Sequence, residues 1–137
     1  MSSGFPLEDP SVVVPWGCAE SALLDLPPRP PRNVTTGYYT LPVISLGGLS
    51  HTLGFHFEPR ASGHLSELEF FRLPVTDLAG SYETWREHLE ASFGDPQVRK
   101  PGDEGFDYCE WHAGRVVVRH FVRDRFGPEE HVRMYRR

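Results

Sequence analysis

Six short segments in which apolar and polar residues alternate constrain the fold of this chain more than any other feature. Alternation with a period of two is typical of a strand that buries one face and exposes the other. In residues 52–58, for example, Leu53, Phe55 and Phe57 share one face. Most of these segments are flanked by turns rich in Gly or Pro. The segments span residues 38–46, 52–58, 65–72, 106–112, 115–123 and 130–136. The pattern predicts an antiparallel sheet of about six strands.

Two further segments have apolar residues three and four positions apart, the spacing that is typical of helices. One is short and spans residues 18–26, and the other spans residues 82–93. We expect Ser81 to cap the start of the second helix and Gly94 to end it. The apolar stripe of the second helix consists of Tyr82, Trp85, Leu89 and Phe93. Neither helix can bury its stripe alone, so both are expected to pack on the sheet.

The elements follow one another as a helix and three strands, then a second helix and three strands. Corresponding elements are displaced by about 65 positions, which indicates an internal duplication. A chain of 137 residues is long enough to close one core, so residues 1–137 are expected to form a single domain. Within it, residues 1–15 are predicted to be an N-terminal arm, and residues 16–73 and 81–137 the two halves. The predicted fold class is α+β with two layers, an antiparallel sheet and two helices on one of its faces.

The formal net charge of −5, from 14 basic and 19 acidic residues, argues against general affinity for nucleic acid. The charge is unevenly distributed, because residues 112–137 contain seven Arg but only three acidic residues. We therefore expect the partner to be another protein that presents an acidic surface to this region, and not a nucleic acid or a membrane.

The sequence also bears on the compartment. No apolar run comes near the ~20 residues that a transmembrane helix needs. Residues 1–10 lack the basic start and apolar middle of a signal peptide, so we expect the protein to stay in the cytoplasm. Cys18 and Cys109 are too far apart for a CxxC redox or zinc motif. In a reducing compartment both are expected to be free thiols. A disulfide bond between them would require an oxidising compartment.

Residues that could support catalysis or metal binding do not form a recognisable set. The seven histidines lack the spacing of a metal site, and the chain has neither a Gly-x-Ser-x-Gly motif nor a glycine-rich phosphate loop. Cys109 and His112 are three apart on a predicted strand, so they would face opposite sides and could not act as a pair. His120 is expected to be a hydrogen-bonded core residue. The sequence thus predicts no metal and no cofactor, and it favours a non-catalytic protein over an enzyme.

The face of the predicted sheet that points away from the helices carries Arg, Glu and aromatic side chains. Arg and aromatic residues are enriched at the energetic centres of protein interfaces, so this face is predicted to bind a partner. An ordinary solvated sheet, on which Glu and Arg pair across strands, is the alternative. The predicted binding residues are His56, Glu67, Glu69, Arg115, Arg119, Phe121, Arg123, Arg133 and Tyr135.

The tandem order of helix and strands resembles the fold of beta-lactamase inhibitor proteins and of some small immunity proteins of bacterial toxin systems. The resemblance covers residues 16–136 as an order of elements. The residues that carry it are Trp16-Gly17, the segment 82–93 with Gly94-Asp95-Pro96, and the hairpin 111–116. It implies a protein that grips a toxin or an enzyme through its sheet face or the adjacent loops, without catalysis.

Three functions are consistent with these patterns. The first is a cytoplasmic bacterial binding module of the immunity or inhibitor type. The second is a small-ligand-binding protein or an enzyme with a pocket between sheet and helices, lined by Tyr39, Trp85, Trp111 and His120. The third is a homodimer that pairs its sheet faces.

Overall fold

An antiparallel sheet of eight strands forms the centre of the computed structural model, which describes residues 3–25, 29–60, 63–72 and 76–137. In chain order the strands are β1 (Gly4–Pro6), β2 (Val13–Pro15), β3 (Arg32–Thr35), β4 (Tyr38–Ser45), β5 (Leu49–Glu58), β6 (His64–Phe71), β7 (Val98–Lys100), β8 (Tyr108–Ala113), β9 (Val116–Asp124) and β10 (Pro128–Arg136). β1 and β2 pair with each other, and the remaining strands lie in the order β3-β4-β5-β6-β10-β9-β8-β7. The predicted α+β class with a large antiparallel sheet is confirmed.

The prediction of about six strands is wrong in number, because two further strands form the edges of the sheet. Every residue of the edge strand β3 is exposed, and the opposite edge strand, β7, has only three residues. Neither strand has an apolar face to bury, so neither shows the alternation that identified the other six. Short, polar edge strands of this kind also discourage pairing with another chain.

The helices are α1 (Glu20–Leu24) and α2 (Leu78–Phe93), and a 3₁₀ turn follows at Asp103–Gly105. α1 is shorter than the predicted segment 18–26, of which residue 26 lies outside the described residues. Among the described residues, neither helix is long and apolar enough to cross a membrane.

The start of α2 differs from the prediction. Asp77, and not Ser81, is the N-cap, because the Asp77 carboxylate accepts a hydrogen bond from the backbone N–H of Gly80 at 3.0 Å. Both residues are good cap formers, and the earlier one begins the helix. The end of the helix is as predicted, since Gly94 follows Phe93 with a φ of 78° that favours glycine.

α2 packs across one face of the sheet, here named the inner face, and contacts both predicted halves. The ring of Trp85, which is 1% exposed, lies edge-on to the rings of His51 and Phe70, with centroid distances of 5.3 and 6.2 Å. Near the start of the same helix, Tyr82 stacks on His120 at 4.2 Å. His51 and Phe70 belong to β5 and β6, whereas His120 belongs to β9. One helix therefore joins strands from both halves of the sheet.

α1 and the β1–β2 ribbon lie on the inner face as well. The hydroxyl of Tyr39 donates a hydrogen bond to the carboxylate of Glu20 in α1. In the ribbon, the ring of Phe5 meets the ring of Phe70 edge-on at 5.3 Å and is 2% exposed. Residues 3–15, the described part of the predicted arm, thus contribute to the core. The opposite face of the sheet, here named the open face, is covered by neither helix.

The strand order is symmetric about the central pair β6 and β10. These are the third strands of the two predicted halves, and each is followed outward by the second strand, the first strand and an edge strand. Duplication of the predicted unit of one helix and three strands, with one edge strand added to each copy, would produce this order. The duplication itself stays a prediction.

His51 is a polar residue buried beneath α2 and is 5% exposed. Its Nδ1 lies 3.1 Å from the carbonyl oxygen of Thr52, which can only accept, so Nδ1 carries the hydrogen. Its Nε2 therefore accepts a hydrogen bond from the hydroxyl of Ser45 at 2.6 Å. Burial lowers the pKa of His51 to about 4, so the folded protein keeps this ring neutral near neutral pH.

We expect the free energy of unfolding to fall on acidification, in part because of His51. The unfolded chain takes up a proton at an ordinary histidine pKa of about 6.5, whereas the folded chain resists protonation down to about pH 4. Between these values the unfolded state binds more protons, so His51 can remove up to about 3 kcal/mol of stability. Urea unfolding of the wild type and of His51→Gln across this pH range measures the contribution.

The His51→Gln variant should be less stable than the wild type near neutral pH but should lose less stability in acid. His64→Gln, at an exposed position of β6, is the matched control and should keep the wild-type pH dependence. Equal pH dependence of His51→Gln and wild type would contradict the neutral state assigned to His51.

Replacing Asp77 by Ala should lower the free energy of unfolding by about 1 kcal/mol, because the N–H of Gly80 loses its cap. Asp77→Asn keeps an oxygen acceptor in place and should retain most of this stability. Urea unfolding of the three proteins is the measurement. If both variants are as stable as the wild type, Asp77 does not cap α2.

Candidate functional site

The open face carries eight of the nine predicted binding residues. They alternate with inner-face residues such as Val118, His120 and Val132 along their strands, so they point away from α2. Arg115 lies instead in the turn between β8 and β9, and Tyr135 lies near the same end of the sheet, opposite Val117. The eight residues on the open face are His56, Glu67, Glu69, Arg119, Phe121, Arg123, Arg133 and Tyr135.

Four of these residues bind one another, and we name them the charge network: His56, Glu67, Glu69 and Arg133. Arg133 Nη1 lies 2.6 Å from Glu67 Oε1, and Arg133 Nη2 lies 3.5 Å from Glu69 Oε2. His56 Nε2 lies 2.9 Å from Glu69 Oε1. The hydrogen bond from His56 and the nearby charge of Arg133 lower the pKa of Glu69, although burial opposes them. These four residues therefore show the cross-strand pairing of Glu with Arg that is expected of an ordinary solvated sheet.

Tyr38 covers part of the charge network. Its ring stacks on His56 with the centroids 4.4 Å apart. The ring lies so close to Gly54 that a Cβ placed there would be 2.9 Å from the Tyr38 hydroxyl oxygen. Glycine at position 54 thus permits Tyr38 to lie flat against the sheet.

A second cluster on the open face is different, and we name it the arginine–aromatic patch: Lys100, Tyr108, Arg119, Phe121 and Arg123. The guanidinium carbons of Arg119 and Arg123 lie 5.1 and 5.6 Å from the ring centre of Phe121. Lys100 Nζ lies 4.9 Å from the ring centre of Tyr108, and Arg119 Nε donates to the Tyr108 hydroxyl at 3.1 Å. Within the described part of the chain, no carboxylate oxygen lies within 4.0 Å of these three cations.

Glu110 explains why Arg119 has no acidic partner. It faces Arg119 across β8 and β9, but its two oxygens accept hydrogen bonds from the hydroxyl of Tyr108 and from Nε2 of His112, each at 2.5 Å. These two bonds, in this order of importance, lower the pKa of Glu110. The carboxylate nearest in register is therefore already engaged, and the guanidinium of Arg119 rests on aromatic rings instead.

Phe121 supports the patch from below and exposes little of its own ring. It is 8% exposed, since His131 stacks on it with centroids 5.0 Å apart and the two guanidinium groups cover it further. The patch therefore presents cations, and not an aromatic surface, to the solvent.

Phe126 is an exposed aromatic residue that the sequence interpretation missed. It lies in the turn between β9 and β10 and is 93% exposed, with the guanidinium of Arg125 6.0 Å from its ring centre. The sequence could have indicated this, because Phe126 directly precedes Gly127-Pro128. A large aromatic residue in such a turn is not part of a strand face that packs on the core. Exposed aromatic side chains are frequent anchors of protein interfaces.

A cleft of about 560 Å³ opens where β6 ends, and we name it the β6–β10 cleft. The last residue of β10 paired with β6 is Val132, opposite Phe70, so residues 128–131 extend beyond the partner strand. The cleft has three walls, formed by the end of β6, the start of β10 and the first turns of α2. Among the residues that line it are Phe71, Arg72, Leu78, Ser81, Glu129 and Glu130.

A buried chain of hydrogen bonds lies behind the cleft. The hydroxyl of Ser81 donates to Glu130 Oε1 at 2.5 Å, and His120 Nε2 lies 2.6 Å from Glu130 Oε2. The side chains of His120 and Glu130 are 0% and 7% exposed. The prediction that His120 is a hydrogen-bonded core residue is confirmed. Of the four residues predicted to line a pocket, Trp85 lines this cleft, whereas Tyr39, Trp111 and His120 do not.

The thiols and the acidic and imidazole side chains show no further site. Cys18 and Cys109 are free, and burial raises the pKa of both thiols. Among the described residues, no three or more His, Cys, Asp or Glu side chains are arranged to hold a metal ion. Cys109 lies behind Tyr82, whose hydroxyl donates to the carbonyl oxygen of Asp107 at 2.8 Å.

Two features of this structure are therefore candidate binding sites: the arginine–aromatic patch with Phe126, and the β6–β10 cleft. Comparison with family models, with curated proteins and with solved structures finds no match to this chain.

Proposed function

We propose that this chain is a non-catalytic, cytoplasmic protein-binding module of the immunity or inhibitor type, which binds through the arginine–aromatic patch and Phe126. The observation that carries the proposal is that three cations lie on aromatic rings with no carboxylate within 4.0 Å among the described residues. Cations that have no carboxylate partner within the chain are available to an acidic ligand. Paired cations such as Arg133 would first have to be separated from their carboxylates.

The patch is also organised before a partner arrives. Fixing a free Arg side chain costs up to about 2 kcal/mol in rotamer entropy. Arg119 is already held by the hydroxyl of Tyr108 and by the ring of Phe121. Less conformational freedom therefore remains to be lost on binding, which favours affinity.

The partner that fits this surface carries carboxylates next to an apolar recess. The carboxylates would meet Arg119, Arg123 and Lys100, and the recess would receive Phe126. The net charge of −5 does not oppose this contact strongly, because physiological salt screens charges beyond about 8 Å. The local excess of cations governs the approach at short range.

The charge network has a supporting role in this proposal. Its four residues satisfy one another, and Arg133 links β10 to β6, where only three residue pairs join the two strands. We assign these residues to holding the centre of the sheet together, and the patch and Phe126 to binding.

Reversing two charges of the patch should abolish partner binding. We expect Arg119→Glu with Arg123→Glu to reduce capture of the partner from host lysate at least about tenfold, since carboxylates would then repel an acidic surface. Phe126→Ser should weaken capture as well, because the apolar anchor is lost. Quantitative mass spectrometry of proteins captured by each immobilised variant is the measurement.

Arg136→Glu with Arg137→Glu is the matched control, because it changes the net charge equally within the same basic region of the sequence. This control should retain the partner. Retention of every partner by the patch variant, or equal loss in the control, would refute the proposed surface. Light scattering after size exclusion identifies the case in which the partner is a second copy, since a wild-type dimer would then become monomeric in the patch variant.

A further inference from the structure

The lining of the β6–β10 cleft contains a cation and an anion that do not pair with each other. Arg72 follows the end of β6, and Glu129 lies near the start of β10, and both line the cleft. No carboxylate oxygen of the described residues lies within 4.0 Å of the Arg72 guanidinium. Arg72 and Glu129 thus line the same space without pairing with each other.

Glu129 is the one acidic residue of the cleft lining whose carboxylate lacks a hydrogen-bond partner within the described residues. Glu69 is held by His56 and Arg133, and Glu130 by Ser81 and His120. His131 Nε2 lies 3.6 Å from Glu129 Oε2, which is too long for a hydrogen bond.

His131 does not neutralise Glu129 either. Its Nδ1 lies 3.4 Å from Arg133 Nη2, which can only donate, so Nδ1 accepts and the ring is neutral in this contact. Burial and the charge of Arg133 lower the pKa of His131, which favours the same neutral form. The side chain of Glu129 is 46% exposed, and its carboxylate forms no ion pair with an Arg or Lys side chain of the described residues.

Apolar side chains line part of the cleft, beside polar ones such as those of Thr76 and Ser81. Phe71 and Leu78 are half-buried in its walls, Pro128 lies at its rim, and Trp85 lies at its base. A volume of about 560 Å³ is within the range of sites that hold small organic molecules. The cleft thus combines apolar lining residues with a cation, Arg72, and an anion, Glu129, that are not paired with each other.

We propose that the β6–β10 cleft binds a small zwitterion with an apolar body, with Arg72 holding its carboxylate and Glu129 its ammonium group. A free amino acid with an aromatic side chain is the simplest molecule of this class. Ser81 adds an acceptor, because its hydroxyl hydrogen is directed to Glu130 and its oxygen lone pairs remain free. Neither Arg72 nor Glu129 belongs to the arginine–aromatic patch.

L-Phenylalanine is the direct probe, and phenethylamine and 3-phenylpropionate are matched probes that lack one charge each. Calorimetry should show saturable binding of L-phenylalanine to the full chain, at least about tenfold tighter than binding of either matched probe. Backbone amide shifts in two-dimensional NMR should change around residues 69–72, 76–85 and 128–131, which surround the cleft.

Arg72→Gln and Glu129→Gln should each weaken L-phenylalanine binding at least about tenfold, since each removes one of the two charge contacts. Arg32→Gln and Glu58→Gln, at exposed positions outside the cleft, are the matched controls and should bind as the wild type does. The amide spectrum of each variant confirms that it is folded.

Three results would overturn the proposal. They are absence of saturable binding of L-phenylalanine up to about 10 mM, equal affinity for phenethylamine, and unchanged affinity in both cleft variants. Phenethylamine binding that depends on Glu129 alone would assign the cleft to cations and refute the role of Arg72. Arg72→Gln should lose cleft binding but retain capture by the arginine–aromatic patch, to which Arg72 does not belong, so the two proposals fail separately.

Discussion

The packing of α2 across the inner face is the interaction on which the rest of the structure depends. Trp85 and Tyr82 lie on rings from β5, β6 and β9, so a single helix holds the two halves of the sheet in one layer. Since side chains alternate between faces along a strand, covering one face directs every second residue to the other. The charged and aromatic residues of the open face are placed there by the apolar residues beneath α2.

Much of the fold was predictable because buried faces leave a trace in sequence. The six strands with an apolar face were found by alternation, whereas β3 and β7 were not, since neither buries a face. The start of α2 was misplaced because Asp77 and Ser81 are both suitable caps, and the helix begins at the earlier one, where the Asp77 carboxylate accepts from the N–H of Gly80.

The candidate site was predictable as a face but not as a set of partners. Alternation placed Arg119, Arg133 and Glu69 on one side of the sheet, but only the pairing of β10 with β6 brings Arg133 to Glu67, 66 positions away in sequence. Strand order across a sheet is a long-range property that periodicity does not encode. The distinction between the paired charge network and the unpaired patch therefore required the structure. The cleft required it as well, because it forms where residues 128–131 of β10 extend beyond the pairing with β6.

The two proposed surfaces are neighbours in the sheet, since Glu129 of the cleft lies opposite Arg123 of the patch. His131 lines the β6–β10 cleft, and its ring stacks on Phe121 of the arginine–aromatic patch. A change at His131 would alter both surfaces, whereas Arg72 and Arg119 each belong to one. The surfaces also differ in charge, since the patch presents cations alone and the cleft is lined by both a cation and anions. Specificity at each surface thus follows from which charges lack internal partners, a property that the net charge of −5 does not express.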